Sequence, residues 1–283
     1  MESKKIIGID LGATNIRGAV ISGNEISEIK SQRIKSNGTE EEVLNDVFSL
    51  IDKLKEESTT AIGIGVPSVV DTEEGIVYDV VYIPSWKEVH LKKILEERYK
   101  IPVLVNNDAN CFALGEYYFG KGKGYNSVIG LAIGTGVGAG VIINNKLYEG
   151  ANCGAGEFGI CDYLDKVYEY YCSGSFFKNV YNLDGEKVFV QAKEGDETAL
   201  KLYSEIGIHL GNAIKLILYT YDPQLIILGG SVANAYQFYK ETMWQQIKTC
   251  VFTKTAERIK IEVSELKNSG ILGAASLYYN QTA

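Results

Sequence analysis

Residues 6–22 recur as residues 128–144 at a constant offset of 122. Gly8, Gly12 and Gly18 fall on Gly130, Gly134 and Gly140, and Ile9, Leu11, Val20 and Ile21 fall on Leu131, Ile133, Ile142 and Ile143. Each copy reads as strand, tight turn, strand. A single recurrence at this separation is no solenoid period, and it points to one ancestral lobe duplicated into two facing lobes. The length agrees, since 283 residues exceed the usual single domain of about 100 to 150.

The copies differ at one telling place. Asp10 ends the first strand of the first copy, where the second carries Ala132. Two glycine turns offer backbone N–H groups to phosphate, and one carboxylate beside them suits Mg2+ held through water. That is a nucleoside triphosphate site in outline.

Composition removes several alternatives. With 46% hydrophobic and 23% charged residues the chain is ordinary for a globular protein and can build a core. Thirty-six acidic against twenty-eight basic residues, net -8 with no Lys/Arg block, argue against a phosphate-tracking groove, so neither nucleic acid nor an anionic membrane is an expected partner. The start of the chain lacks the apolar run and cleavage site of a signal peptide, so a cytoplasmic location is expected. Five cysteines without a Cys-x-x-Cys pair read as reduced small hydrophobes. The uncharged stretch 124–145 invites a membrane reading, but its six glycines cost a helix about 1 kcal/mol each, and two strands around a turn fit better.

The patterning predicts strands over 4–10, 15–22, 25–35, 61–66 and 103–106, and helices over 39–56, 89–99 and 109–119. Gly120-Lys121-Gly122-Lys123-Gly124 reads as a crossing between lobes. A long helix is predicted over 197–221, stopped by Asp222-Pro223, and then a buried strand over 225–228 that ends in Gly229-Gly230.

Gly134-Thr135-Gly136-Val137-Gly138-Ala139 matches the dinucleotide fingerprint, but that fingerprint must open a helix and here a strand follows. No Walker A motif occurs. Asp108 in Asn107-Asp108 lies between a strand and a helix, where it reads either as an N-cap or as a carboxylate that accepts a substrate hydroxyl's proton during phosphoryl transfer. Glu157 and Glu169 lie among Tyr163, Tyr168, Tyr170 and Tyr171, a setting that suits a solvated loop or a polyhydroxylated sugar. Trp86 reads as core, and neither His90 nor His209 as catalytic. Gly229-Gly230-Ser231 before a helical stretch suits a tight turn or nucleotide contact.

The ordered set Asp10-Leu11-Gly12-Ala13-Thr14-Asn15-Ile16-Arg17, Gly65-Val66-Pro67, Asn107-Asp108-Ala109-Asn110, Gly134-Thr135-Gly136-Val137-Gly138, Gly156-Glu157-Phe158-Gly159 and Leu228-Gly229-Gly230 resembles the ROK family of sugar kinases over nearly the full length. The resemblance implies a two-lobed α/β, actin-like fold of hexokinase type, ribonuclease H-like, with the active site in the interlobe cleft. It further implies ATP and Mg2+, a hexose, and a homodimer. By position, Asp108 is the expected general base on the sugar 6-hydroxyl, with Asn107, Glu157 and Glu169 as sugar ligands. Gly12, Ala13, Thr14, Asn15, Thr135 and Gly136 are expected at the phosphate turns, Asp10 near Mg2+, and Gly229 and Gly230 near the nucleoside. The expected lobes are 1–107 with 271–283, and 108–270, the last helix near 272–279 returning to the first.

Most of the family follows Gly-Glu-x-Gly with His and then a cysteine-rich zinc loop. Here Ile160 takes the His place and the loop is missing. Cys153, Cys161 and Cys172 lack zinc-ligand spacing, so no zinc site is expected. Ser68 stands near the expected sugar, where glycine is frequent in the family. The expected activity is 6-phosphorylation of a hexose, glucose first, with fructose, mannose or an N-acetylhexosamine as alternatives. A catalytically weak sugar sensor is the competing class. Related repressors carry a DNA-binding segment before the first glycine turn, which here begins within about a dozen residues of Met1, so the expectation is a sensor without DNA binding.

Overall fold

The structure, a computed structural model, describes residues 4–282. The first elements are β1 (Lys5–Leu11), β2 (Asn15–Ser22), β3 (Glu25–Ile26), β4 (Lys30–Arg33), α1 (Glu40–Leu54) and β5 (Thr59–Val66). Next come β6 (Val69–Asp71), β7 (Ile76–Tyr78), β8 (Glu88–Val89), α2 (Leu91–Tyr99), β9 (Val103–Asn107) and α3 (Asp108–Phe119). They are followed by β10 (Val128–Ile133), β11 (Val137–Ile143), β12 (Lys146–Leu147), a 3-10 turn at Phe158–Ile160, and the hairpin β13 (Asp162–Tyr163) and β14 (Lys166–Val167). The helices α4 (Tyr168–Cys172), α5 (Phe176–Tyr181), α6 (Gly185–Lys193) and α7 (Glu197–Tyr221) precede β15 (Leu225–Gly229) and a 3-10 turn at Val232–Ala235. The chain closes with α8 (Tyr236–Ile247), α9 (Thr253–Arg258), β16 (Lys260–Val263) and α10 (Ser269–Thr282).

The repeat holds strand for strand and extends into topology. One sheet runs β3-β2-β1-β5-β9 with β4 also on β2, and the other runs β12-β11-β10-β15-β16. In each, the first strand of the repeat pairs with a parallel strand, β1 with β5 and β10 with β15, and a further parallel strand lies outside it. Stretch 124–145, weighed above for a membrane, contributes β10 and β11, and no described helix is long and apolar enough to cross one.

The chain divides into two compact units. One comprises the described parts of Met1–Gly124, Gly140–Ala155 and Glu265–Ala283, the other Tyr125–Ala139 and Gly156–Ser264. This differs from the expected division at 107/108 and 270/271 because α3 lies along α10 and belongs with it. Small residues make that packing possible. A Cβ on Gly273 would stand 1.6 Å from the Cys111 carbonyl oxygen, and one on Gly63 1.8 Å from that of Ala274, so α10 touches both α3 and the sheet backbone to backbone.

Local chemistry explains the remaining boundaries. The expected strand 25–35 splits because Ser27 Oγ accepts from the Val20 N–H at 2.9 Å and Ser27 N donates to Val20 O at 2.9 Å, which takes the place of a ladder rung between β3 and β4. Helix α1 starts behind Thr39 in a reciprocal capping box with Glu42 and buries Val43, Val47, Leu50 and Ile51. Helix α2 starts two residues later than expected because Glu88 and Val89 pair with β7. Trp86 is fully buried in the first unit's core, as the sequence reading favoured. Helix α7 matches its predicted span, and Asp222 closes it in the left-handed region at φ 42° ahead of Pro223.

Candidate functional site

In the first unit the parallel register aligns the carboxyl ends of three strands. Asp10 of β1 lies opposite Gly65 of β5, which lies opposite Asn106 of β9, so Asp10, Ser68 and Asn107-Asp108 share one sheet edge, where open α/β sheets bind ligands. A Cβ on Gly65 would come 3.0 Å from Cys111 Sγ and 3.5 Å from the Asp108 Cα, so glycine there lets the first turn of α3 settle on the strand.

Asn107, not Asp108, caps α3. Its Oδ1 accepts from the Ala109 N–H at 2.8 Å and the Asn110 N–H at 3.4 Å, while its Nδ2 donates to Ser68 O at 3.2 Å. The physical reason is conformational: Asn107 ends β9 with an extended backbone, the geometry of an N-cap. Asp108 is thereby the first helical residue, exposed, with Oδ1 accepting from the Ala109 N–H at 2.9 Å. The Ser68 hydroxyl donates to Tyr78 O.

Beneath this edge lies a network that no sequence pattern announced. Asn106, 2% exposed, donates through Nδ2 to Glu149 Oε1 and accepts through Oδ1 from the Asn107 N–H at 2.8 Å and from Asn110 Nδ2 at 2.9 Å. Thr72 Oγ1 donates to Glu149 Oε2 at 3.0 Å. The backbone that carries Asp108 is thus pinned from below. Its partners are far apart in sequence, and only the fold joins them.

Asp10 is half-buried, and burial raises its carboxyl above the usual carboxylate range, with the Arg17 guanidinium opposing the shift. Among the described residues its carboxylate makes no hydrogen bond, while Arg17 Nη2 donates to Asn268 Oδ1. An uncommitted, partly desolvated carboxylate fits a hard cation such as Mg2+. The adjoining turn is closed by the Gly12 N–H donating to Asn15 O at 2.9 Å, and Thr14 O accepts from the Ile34 N–H at 3.0 Å. Thr14 and Asn15 are exposed, and Ala13 is half-buried.

In the second unit, the turn Gly134-Thr135-Gly136 is closed by the Gly134 N–H donating to Gly136 O at 2.9 Å. Three straps hold it: the Gly174 N–H to Gly134 O at 2.7 Å, Ser175 Oγ to Thr135 O at 2.8 Å, and the Val137 N–H to Glu169 Oε2 at 2.8 Å. Over the turn opens a cavity of about 880 Å³ whose lining includes Gly134, Thr135 and Ser231 and the aromatic residues Phe177, Phe189 and Tyr203. The glycine turn and Ser231 in this lining suit phosphates, and the aromatic residues suit a base. Sequence reasoning found the glycines but not these aromatic residues, which sit on α5, α6 and α7 with no local signature.

Gly229 and Gly230 end β15 beside β10. Gly230 has φ 81°, and a Cβ there would stand 2.3 Å from the Ile133 carbonyl oxygen. Glu157 and Glu169 lie near enough to interact: burial first and the Glu169 charge second push the Glu157 carboxyl up, although part of its side chain reaches solvent. Ile160 is 63% exposed. Among the described residues no group of three or more His, Cys, Asp or Glu side chains is arranged to hold a metal.

Comparisons with known proteins agree with this architecture. The chain is 27% identical to a glucokinase of Thermotoga maritima over 98% of both chains, and 30% identical to a xylose repressor of Bacillus spizizenii over 96% of this chain and 76% of the repressor. A ROK family glucokinase from Streptomyces griseus, solved with glucose and AMPPNP, superposes with a TM-score of 0.81 at 26% identity, covering 96% of this chain and 98% of that one. The ROK hexokinase of Thermus thermophilus gives 0.82 at 25% identity, covering 99% and 100%. The ROK family matches residues 6–281, and with the duplicated sheets and glycine turns in place this chain belongs to that family.

Proposed function

We propose that the protein is an ATP-dependent sugar kinase that phosphorylates the 6-hydroxyl of a hexose, glucose first. The observation that carries this reading is the cavity over the second glycine turn, lined by Gly134, Thr135 and Ser231 together with the aromatic residues Phe177, Phe189 and Tyr203. Kinship with glucokinases along the whole chain, and the superposition on an enzyme solved with glucose and AMPPNP, support it.

In this reading Asp108 accepts the 6-hydroxyl proton as the new oxygen–phosphorus bond forms and the bond from the γ-phosphorus to the β–γ bridging oxygen breaks, releasing ADP. Asn107, through its capping bonds and its strap to Ser68 O, holds that carboxylate at the strand edge, and its second amide hydrogen is available to the sugar. Glu157 accepts from sugar hydroxyls. Glu169 spends Oε2 on the Val137 amide and keeps Oε1 for the sugar. The Gly12 N–H closes its own turn on Asn15 O, so the amides given to phosphate are the remaining ones of the turns at Gly12–Asn15 and Thr135-Gly136, and Gly229-Gly230 borders the nucleoside. Asp10 would hold Mg2+ through water, and the ion would supply charge neutralisation on the phosphates. A homodimer in the cytoplasm completes the proposal, and sedimentation equilibrium tests the dimer.

The test is ADP release with MgATP across hexoses and hexosamines, with no-sugar and EDTA controls. Turnover on one sugar establishes the kinase. Asp108→Asn should keep sugar and nucleotide binding while kcat falls by about 10²- to 10⁴-fold; wild-type turnover in that variant removes the base assignment. The exposed Ile160 and the xylose repressor relatives favour a second reading, a sugar sensor. Sugar-dependent thermal stabilisation without ADP release would select it.

A further inference from the structure

A directed hydrogen-bond relay runs through the second unit. Asn212 Nδ2 donates to Ile208 O at 3.1 Å, and since a carbonyl only accepts, that atom is the amide nitrogen. Its other hydrogen goes to Tyr163 OH at 2.9 Å, and Asn212 Oδ1 accepts from Gln246 Nε2 at 2.8 Å. Tyr163 OH keeps its own proton, and we assign it as the donor to His209 Nδ1, 3.2 Å away, which puts the imidazole proton on Nε2. That buried Nε2 has no hydrogen-bond partner among the described residues; Glu205 Oε1 stands 3.7 Å off, and Glu205 Oε2 accepts from Tyr181 OH at 2.6 Å. The relay thus joins α8, α7 and the hairpin.

Its ring atoms clamp the short helix α4. Tyr163 stacks on Tyr168 with centroids 4.2 Å apart, and Tyr171 lies 5.8 Å from Tyr163 and 5.0 Å from His209. Tyr171 OH donates to Asp165 at the hairpin tip, and Tyr170 OH donates to Asn179 O at 2.9 Å. A helix of five residues has no stability of its own, so its register is set by this packing. On it rides Glu169, whose Oε2 holds the Val137 amide and would lie 2.5 Å from a Cβ on Gly136.

We propose that Tyr163 and His209 are positioning residues: through α4 they set the Glu169 carboxylate against the Gly136–Val137 backbone and so hold the second glycine turn in its phosphate-binding shape. Neither residue lines the cavity over that turn. The proposal rests on the nucleotide reading of that turn.

The test is titration calorimetry of MgAMPPNP without sugar, on folded wild type, Glu169→Ala, Tyr163→Phe and the double variant. Glu169→Ala should weaken binding about tenfold and Tyr163→Phe several-fold, and the double variant should lie within about twofold of Glu169→Ala, because both act through one contact. A general structural weakening would instead give additive losses, and additivity or wild-type affinity in Tyr163→Phe overturns the positioning role. Should Tyr163→Phe not fold, His209→Leu and His209→Asn replace it. Leu removes the acceptor and should behave as Tyr163→Phe, whereas Asn restores an oxygen near the Nδ1 position and should recover wild-type affinity to within about twofold; equal loss in both overturns the proposal. No MgAMPPNP binding by wild type overturns the nucleotide reading and the proposal together, whereas binding without coupling overturns only the positioning.

Discussion

At the residue scale, the fate of a polar atom follows from what surrounds it. His209 is held below its ordinary 6.5 by burial, with Glu205 on the same helix opposing, and the groups facing it from other elements are Tyr163, Tyr171 and Phe176. The native state prefers neutral imidazole while the unfolded chain protonates freely, so stability is full above pH 6.5 and falls as pH drops below it towards the lowered native value. Melting temperatures between pH 7.5 and 5 should therefore fall more steeply in wild type than in His209→Leu; parallel slopes would show that this imidazole carries no such linkage. Asp108 and Asn107 were legible as a pair because Asn-Asp between a strand and a helix is a local pattern. Their division of labour was not, since the backbone angles at Asn107 decide which side chain caps α3. Nor were Thr72 and Glu149, which lie 77 residues apart and meet only through the fold.

At the element scale, periodicity carried far where burial is one-sided. Helix α1 and helix α7 show one apolar stripe each and were predicted within a few residues of their ends. Helix α10 follows a different logic, because small residues, not a stripe of large ones, let it reach α3 and the sheet. Gly273→Ala puts a Cβ 1.6 Å from the Cys111 carbonyl oxygen, so α3 and α10 must move apart. Overpacking of this kind costs about 1–3 kcal/mol or more, and urea unfolding should show at least that loss; an unchanged midpoint would mean that the helices slide without cost. The hairpin β13–β14 and helix α4 have no period to read, because two-residue strands and a five-residue helix are too short for one and stand on aromatic contacts and tyrosine hydrogen bonds.

At the scale of the whole molecule, the second unit is held around Glu169 by hydrogen bonds and ring packing, with no described cluster of metal-ligating side chains. Turnover with MgATP in excess should therefore stay within about twofold when 1,10-phenanthroline is added, and inactivation reversed by zinc would show a structural zinc ion after all. The sequence by itself determined the duplication, because equally spaced glycines and apolar positions impose the same strand, turn, strand path wherever they recur, and the same strand order followed in both sheets. It also determined that one copy has a carboxylate at the turn and the other does not. Only the tertiary structure decided that Asn106 and Glu149 brace the strand under Asp108, that three aromatic residues from separate helices wall a cavity over Gly134 and Thr135, and that α3 belongs with α10. Local patterns record what neighbours along the chain must do, whereas contacts between residues distant in sequence exist only once burial and hydrogen bonding have selected one packing out of many.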